Sequence, residues 1–340
     1  MAQHEWSRRE FVKRSGACVG GLAAAAAWSG RSRAADPDDS QDAIAVEQTV
    51  LGRTGVKVSK LGLGCIHFRR PNCTPDDTAK VLYRALELGV NYFDVAPNYG
   101  NDEDGYSEEK MGPTIKEIRD KVFLVTKTEE PTYEGTWNLL RQSMRRLQTD
   151  RFDLVHLHNF GHEPRFPDLE LLFSEKGALG ALIEAQKKGV VRFIGASGHL
   201  HPARFHAALD TGKIDVLMNA VNFICRHTYD FEHKVWSRAR QENVALVAMK
   251  VLGGQGRGPS KTGFRVPEYL YEKAVRYALS VPGVDVACIG LADVPELEQA
   301  ASVVARGEPL SETEAYELAR VGLELAGTEE WRVAYGDPLA

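Results

Sequence analysis

The chain has no Cys-x-x-Cys pair, no G-x-G-x-x-G after its first strand-like run, no basic stripe, and no apolar run long enough to cross a bilayer. The first absence removes the usual zinc and iron–sulfur frameworks. The second argues against a doubly wound dinucleotide-binding sheet. The third removes the electrostatic footprint expected of a nucleic-acid partner. The fourth excludes a spanning helix, because the small-residue run near the N-terminus is too short and too weakly apolar. What remains is a globular composition, with 43% hydrophobic and 26% charged residues and a formal net charge of −5. At 340 residues the chain can form one large domain or two ordinary ones.

The N-terminus differs from the rest. SRREFVK (Ser7 to Lys13) precedes SGACVGGLAAAAAWSG and then Arg31-Ser32-Arg33-Ala34. A basic region, a modest apolar segment and an A-x-A-like end describe an export signal. Its paired arginines resemble a bacterial twin-arginine signal, an address read by the export machinery. Residues 1–34 are therefore expected to be removed and 35–46 to serve as an acidic linker, placing the protein in the periplasm or outside the cell, or in the cytoplasm if the signal is unused. Cys65, Cys73, Cys225 and Cys288 would remain. After export they could pair, yet a chain that folds before transport could equally bury them as free thiols.

From Thr49 the pattern alternates. TVLGRTGVKVSKLGLGC gives a hairpin about Gly55 and then a strand at Lys60 to Gly64. Thr74 and Pro75 open an amphipathic helix that Gly89 stops. Strands follow at NYFD (Asn91 to Asp94), VFLVTK, FDLVHLH, VVRFIGAS, IDVLMNAVN, VALVAMKVL and VDVACIG, each with a helical stretch after it. They are short continuous apolar runs, as parallel strands covered on both faces should be. Eight strand-then-helix units of this size predict an α/β fold, a (β/α)8 TIM barrel with an N-terminal β-hairpin, over residues 47–327, with 328–340 as a tail.

Barrel active sites sit at the C-terminal ends of the strands. Asp94, Lys127 and His158 close the second, third and fourth strands, and Tyr99 hangs on the loop above the second. Alone, each residue reads as a surface charge or a satisfied core group. On three adjacent strand ends they read as one constellation. An ammonium favours a phenolate, and a carboxylate fixes that ammonium, so Tyr99 could give or take a proton. No side chain donates hydride, so such chemistry needs a nicotinamide cofactor. His156, two residues before His158, is expected to be a hydrogen-bonded core histidine one layer deeper.

At these residues the sequence resembles the aldo-keto reductase family. The matching pieces are LGRTGVKVSKLGLGC, NYFDVAPNYG with SEEKMG, VFLVTK, FDLVHLH and GVVRFIGAS, within a likeness running from about Val50 to Ala305. The resemblance implies hydride transfer between NADPH or NADH and an aldehyde, ketone or corresponding alcohol, with a small carbonyl or sugar-like substrate. It assigns catalysis to Asp94, Tyr99, Lys127 and His158, the Lys127–Asp94 pair lowering the Tyr99 pKa. It places Ser197 and Asn219 at the nicotinamide amide, the latter where a glutamine is usual. Met249 stands where an aromatic normally stacks on the ring. Lys250, Leu252 and the glycines at 253, 254 and 256 fall at the pyrophosphate. At the adenosine 2′-phosphate, Gly290, Leu291, Glu296 and Ala300 replace Lys, Ser, Arg and Asn, so NADPH preference is expected to be weakened. These departures leave a second reading, a non-catalytic binding barrel without dinucleotide affinity. A third, a metal-dependent hydrolase or isomerase built on His156 and His158, lacks further ligands at strand ends.

Overall fold

A computed structural model describes residues 44–254 and 263–335. Residues 1–34, where the signal was placed, lie outside them. Val46, assigned to the linker, is buried and donates its N–H to Leu88 at 2.9 Å, so the domain begins within that segment.

The chain opens with an antiparallel hairpin, β1 (Gln48–Val50) and β2 (Lys57–Ser59). Its turn needs Gly55 at φ 70°, a conformation that strains other residues. Eight parallel strands follow: β3 (Leu61–Gly64), β4 (Tyr92–Asp94), β5 (Phe123–Thr128), β6 (Phe152–Leu157), β7 (Val191–Gly198), β8 (Val216–Ala220), β9 (Ala245–Met249) and β10 (Val284–Gly290). They close into a barrel in chain order, β10 pairing with β3. The expected (β/α)8 architecture is therefore the one observed.

Period-two alternation sends one set of side chains into the barrel. Tyr92, Phe123, Val125, Leu154, Val216, Met218, Val247, Val286 and Cys288 pack there in one cluster. Tyr92 stacks on Phe123 with centroids 5.4 Å apart. Leu51 and Val58 of the hairpin join this cluster and close the barrel's N-terminal end. The opposite strand faces meet the helices in a larger core, filled by residues such as Leu63, Phe93, Leu124, Val155, Leu217 and Leu246.

Capping explains the sharper helix starts. Thr74 accepts from the N–H of Asp77, whose side chain returns the bond, and Pro75 occupies the first turn of α1 (Pro75–Glu87). Such a cap is worth about 1 kcal/mol. The helical stretch expected after IDVLMNAVN is two short pieces, Phe231–Lys234 and Trp236–Gln241. Strand β9 ends sooner than expected because Lys250 takes φ +59° and turns the chain. The segment expected as a tail, 328–340, is described as far as residue 335. Glu329–Tyr335 is a helix whose Trp331 is fully buried, edge-on to Phe264 at 5.3 Å. All four cysteines after residue 44 are free, and Cys65, Cys225 and Cys288 are buried. No helix among the described residues is long and apolar enough to cross a membrane.

Candidate active site

Strand pairing fixes the site before any side chain is considered. Asp94 stands opposite Val125, and Lys127, two residues on, stands opposite His156. Asp94 and Lys127 thus come from adjacent strands and point the same way. The Lys127 ammonium donates to both Asp94 oxygens at 2.7 Å and to the Val95 carbonyl at 2.8 Å. Both side chains are almost fully buried. Desolvating two charges is costly, and three short charge-assisted bonds offset that cost. Burial alone would push the Lys127 pKa down. The Asp94 carboxylate, helped by Tyr99, outweighs it and holds the ammonium above the ordinary lysine value.

Tyr99 lies on the loop after β4, half-buried, its backbone fixed by bonds to Ala96 and Ser107. The Lys127 nitrogen is 5.1 Å from its ring centroid. His158, immediately after β6, meets the same ring edge-on at 6.1 Å. The four residues expected to form one constellation are therefore together at the C-terminal rim.

Glu129, which the sequence reading missed, belongs to the same group. Its Oε1 lies 2.7 Å from Nδ1 of His158, and its other oxygen pairs with Arg165. Burial would raise the Glu129 pKa, yet His158 and Arg165 hold it down at about 2. The available signal was the acid pair Glu129-Glu130 directly after a strand whose last residue but one is the site lysine.

His156 corrects an expectation. It is fully buried, and neither ring nitrogen has a hydrogen-bond partner among the described residues. Burial, with Lys127 and His158 adding to it, drives its pKa well below the usual histidine value, so the ring is neutral. Its space exists because residue 195 is glycine; a Cβ there would lie 2.3 Å from His156 Nδ1. Behind Lys127, the buried carboxyl of Glu108 accepts from Thr126 at 3.0 Å, and burial raises its pKa to about 7.

The residues assigned to a cofactor divide into two groups. Ser197 ends β7 almost fully buried, and its Oγ has no partner among the described residues. Asn219 is engaged: its oxygen accepts from Trp236 at 2.9 Å and its amide reaches the Gly198 carbonyl at 3.4 Å. Met249, the last residue of β9, and Lys250 and Leu252 just beyond it are half-buried. A Cβ at Gly254, where φ is +134°, would stand 3.4 Å from the Lys250 nitrogen. Gly256 lies outside the described residues. Gly290 is exposed, and a Cβ there would be 3.0 Å from His67 Nε2. Burial lowers the His67 pKa to about 4, with Arg70, Arg265 and Lys250 acting in the same sense against Glu296. A cationic neighbourhood with an orphaned buried hydroxyl suits an anionic dinucleotide. Among the described residues no three His, Cys, Asp or Glu side chains gather as a metal site would require.

Residues 60–264 match the model of the aldo/keto reductase family. The chain is 29% identical over 192 residues to L-galactose dehydrogenase of Arabidopsis thaliana, a match covering 52% of this chain and 57% of that protein. Among solved structures, one from Pseudomonas aeruginosa assigned to the aldo-keto reductases is 26% identical, with a TM-score of 0.63, covering 78% of this chain and 98% of that one. An aldo/keto reductase of Klebsiella pneumoniae, solved with NADP and acetate, is 21% identical. It shares the fold with a TM-score of 0.65, covering 82% of this chain and 96% of that one. With the family model spanning more than half of its length, and the barrel already traced strand by strand, the chain belongs to the aldo/keto reductase family.

Proposed function

We propose that this protein is an NAD(P)H-dependent carbonyl reductase, also able to oxidise the corresponding alcohol, with Tyr99 as its general acid and base. The observation that carries the proposal is the buried Lys127–Asp94 pair set against the Tyr99 ring with His158 at its edge. A phenol with an ordinary pKa near 10 is a weak acid at neutral pH. A fixed ammonium beside it stabilises the phenolate left after proton donation, which lowers the barrier to that donation. Asp94 keeps the ammonium charged and in place. His158, next to the phenol, orients the carbonyl oxygen.

Ser197, Lys250, Leu252, Gly254 and Gly290 would hold the nicotinamide dinucleotide, Lys250 as a point charge and the glycines by exposing backbone. Bound there, the cofactor supplies the hydride that no side chain can. Asn219 supports the neighbouring backbone through Gly198 rather than offering a free amide. At the adenosine end, Leu291 and Ala300 are buried apolar residues unable to bind phosphate. Glu296, in the first turn of the helix that Asp293 caps, accepts from the Ala292 N–H at 2.9 Å. These positions favour NADH at least as strongly as NADPH. The substrate class is a small aldehyde, ketone or sugar-like carbonyl, in keeping with the sugar-named relative. The twin-arginine-like N-terminus supports export to the periplasm, outside the described residues.

Purified protein titrated separately with NADH and NADPH, then supplied with a panel of aldehydes and aldoses, tests the proposal. The expected result is reduction of at least one carbonyl and NADH binding equal to or tighter than NADPH. Binding of neither dinucleotide would refute the reductase reading, and a clear NADPH advantage would refute the preference.

A further inference from the structure

Tyr99 stands on the segment 96–107, which leaves the barrel after β4 and ends where the helix Ser107–Ile118 begins. A short antiparallel ribbon, Gly100–Asn101 paired with Gly105–Tyr106, lies within it. A segment held only at its two ends has many conformations open to it, and a displacement of about 1 Å at a reacting group costs about 100-fold in rate. This segment is also held from outside, by Arg146. That residue lies in the last turn of the helix Tyr133–Leu147, its side chain 11% exposed. Its Nη1 donates to the carbonyl of Pro97, two residues before Tyr99, at 3.0 Å. Its Cζ stands over the Tyr106 ring, 3.4 Å from the centroid, and its Nε lies 3.3 Å from a Glu109 oxygen. Glu109 accepts in turn from the Tyr106 N–H at 3.2 Å, and the Ser107 N–H donates back to the Tyr99 carbonyl at 2.8 Å. One side chain thus grips the segment on both sides of the phenol.

We propose that Arg146 is a positioning residue of this site, holding Pro97 and Tyr106 so that the phenol between them keeps its place beside the Lys127 ammonium. The clamp stands on the contacts alone, and its consequence for catalysis rests on the reductase reading. Its base is rigid, because a Cβ at Gly112 would collide with the Arg146 carbonyl, so the two helices meet backbone to backbone. The clamp is also tied to the strand that carries the ammonium. Glu108 accepts from Thr126, the residue before Lys127, while its other oxygen lies 3.9 Å from Arg146 Nη1. An arginine suits the task because its planar group stacks on a ring and donates in its own plane at once, which an ammonium cannot do.

The test separates the clamp from the chemistry. Hydrogen exchange of the whole protein, read by mass spectrometry, should speed up over 96–107 in Arg146→Gln and stay unchanged over the barrel strands. Arg145→Gln, at an exposed neighbour, should leave exchange as it is in the wild type. The single-turnover rate of carbonyl reduction by Arg146→Gln should fall about 10-fold or more, with dinucleotide affinity within about twofold of wild type. In a Tyr99→Phe background the same substitution should change the residual rate by less than about twofold, because the group it positions is gone. Arg146→Lys keeps a donor for Pro97 without the flat stack on Tyr106. It should give intermediate values throughout, and it carries the same comparisons if the glutamine variant does not fold. Unchanged exchange over 96–107 would overturn the clamp whatever the activity. A rate loss as large in the Tyr99→Phe background as in the wild type, or a matching loss of dinucleotide affinity, would overturn the positioning role. Faster exchange in Arg146→Gln, with no carbonyl reduced by the wild type, would instead refute the reductase reading and leave the clamp in place.

Discussion

Lys127→Met removes the ammonium and keeps most of the side-chain volume. It leaves the Asp94 carboxylate, only 4% exposed, without the two 2.7 Å bonds it accepts from Lys127. Breaking a buried ion pair in this way costs about 3–5 kcal/mol. For a chain of this length 1 kcal/mol corresponds to about 2 °C in Tm, so the midpoint should fall by roughly 6–10 °C at pH 7. The deficit should shrink at pH 5, because the stranded carboxyl, its folded pKa now raised by burial, takes up a proton that the unfolded chain binds less readily. Adding Asp94→Asn removes the second charge, so the double variant should lose only about 1–3 kcal/mol, less than Lys127→Met alone. Carbonyl reduction should nevertheless drop at least about 100-fold in single and double variants alike, since neither offers Tyr99 an ammonium. Calorimetric unfolding and steady-state rates on the same preparations separate the two effects. Losses in Tm that simply add, or a double variant that recovers its rate along with its stability, would refute the account of the pair.

Two further outcomes concern buried groups around it. The folded state keeps a proton on Glu108 up to about pH 7, whereas the unfolded chain releases it near 4.5. Stability should therefore decline as pH rises through that window, by at most about 3 kcal/mol, and Glu108→Gln should flatten the profile measured by denaturant titration from pH 4 to 8. Replacing His156 with leucine removes two buried nitrogens that have no partner among the described residues. It should raise stability by about 1 kcal/mol, and a loss of similar size would show that the ring bonds to something essential.

The barrel and the gathering of Asp94, Tyr99, Lys127 and His158 at its rim were legible because both depend on spacing. Continuous apolar runs announced parallel strands, and a polar residue at the end of such a run announced the rim. The environment of each polar group was not legible. Glu129 meets His158 only through the ends of two strands joined by register, so nothing local distinguished it from Glu130. His156 and His158 share a strand and a face, yet one lies beside a carboxylate and the other beside Gly195, a difference set by the neighbouring strands. Glu296, read as a repulsive charge at the cofactor's adenosine end, accepts from the Ala292 N–H just before its own helix. The helix after residue 328 escaped notice because seven residues with one tryptophan carry too little periodicity to mark a docking element.

The central claim is that the phenol of residue 99 gives up the proton in carbonyl reduction. It is tested most directly by Tyr99→Phe, assayed for dinucleotide affinity and for kcat on one sample. Affinity within about twofold of wild type with kcat reduced about 100-fold or more is the expected result. A variant that still reduces carbonyls at the wild-type rate, or one that loses both properties equally, would contradict it.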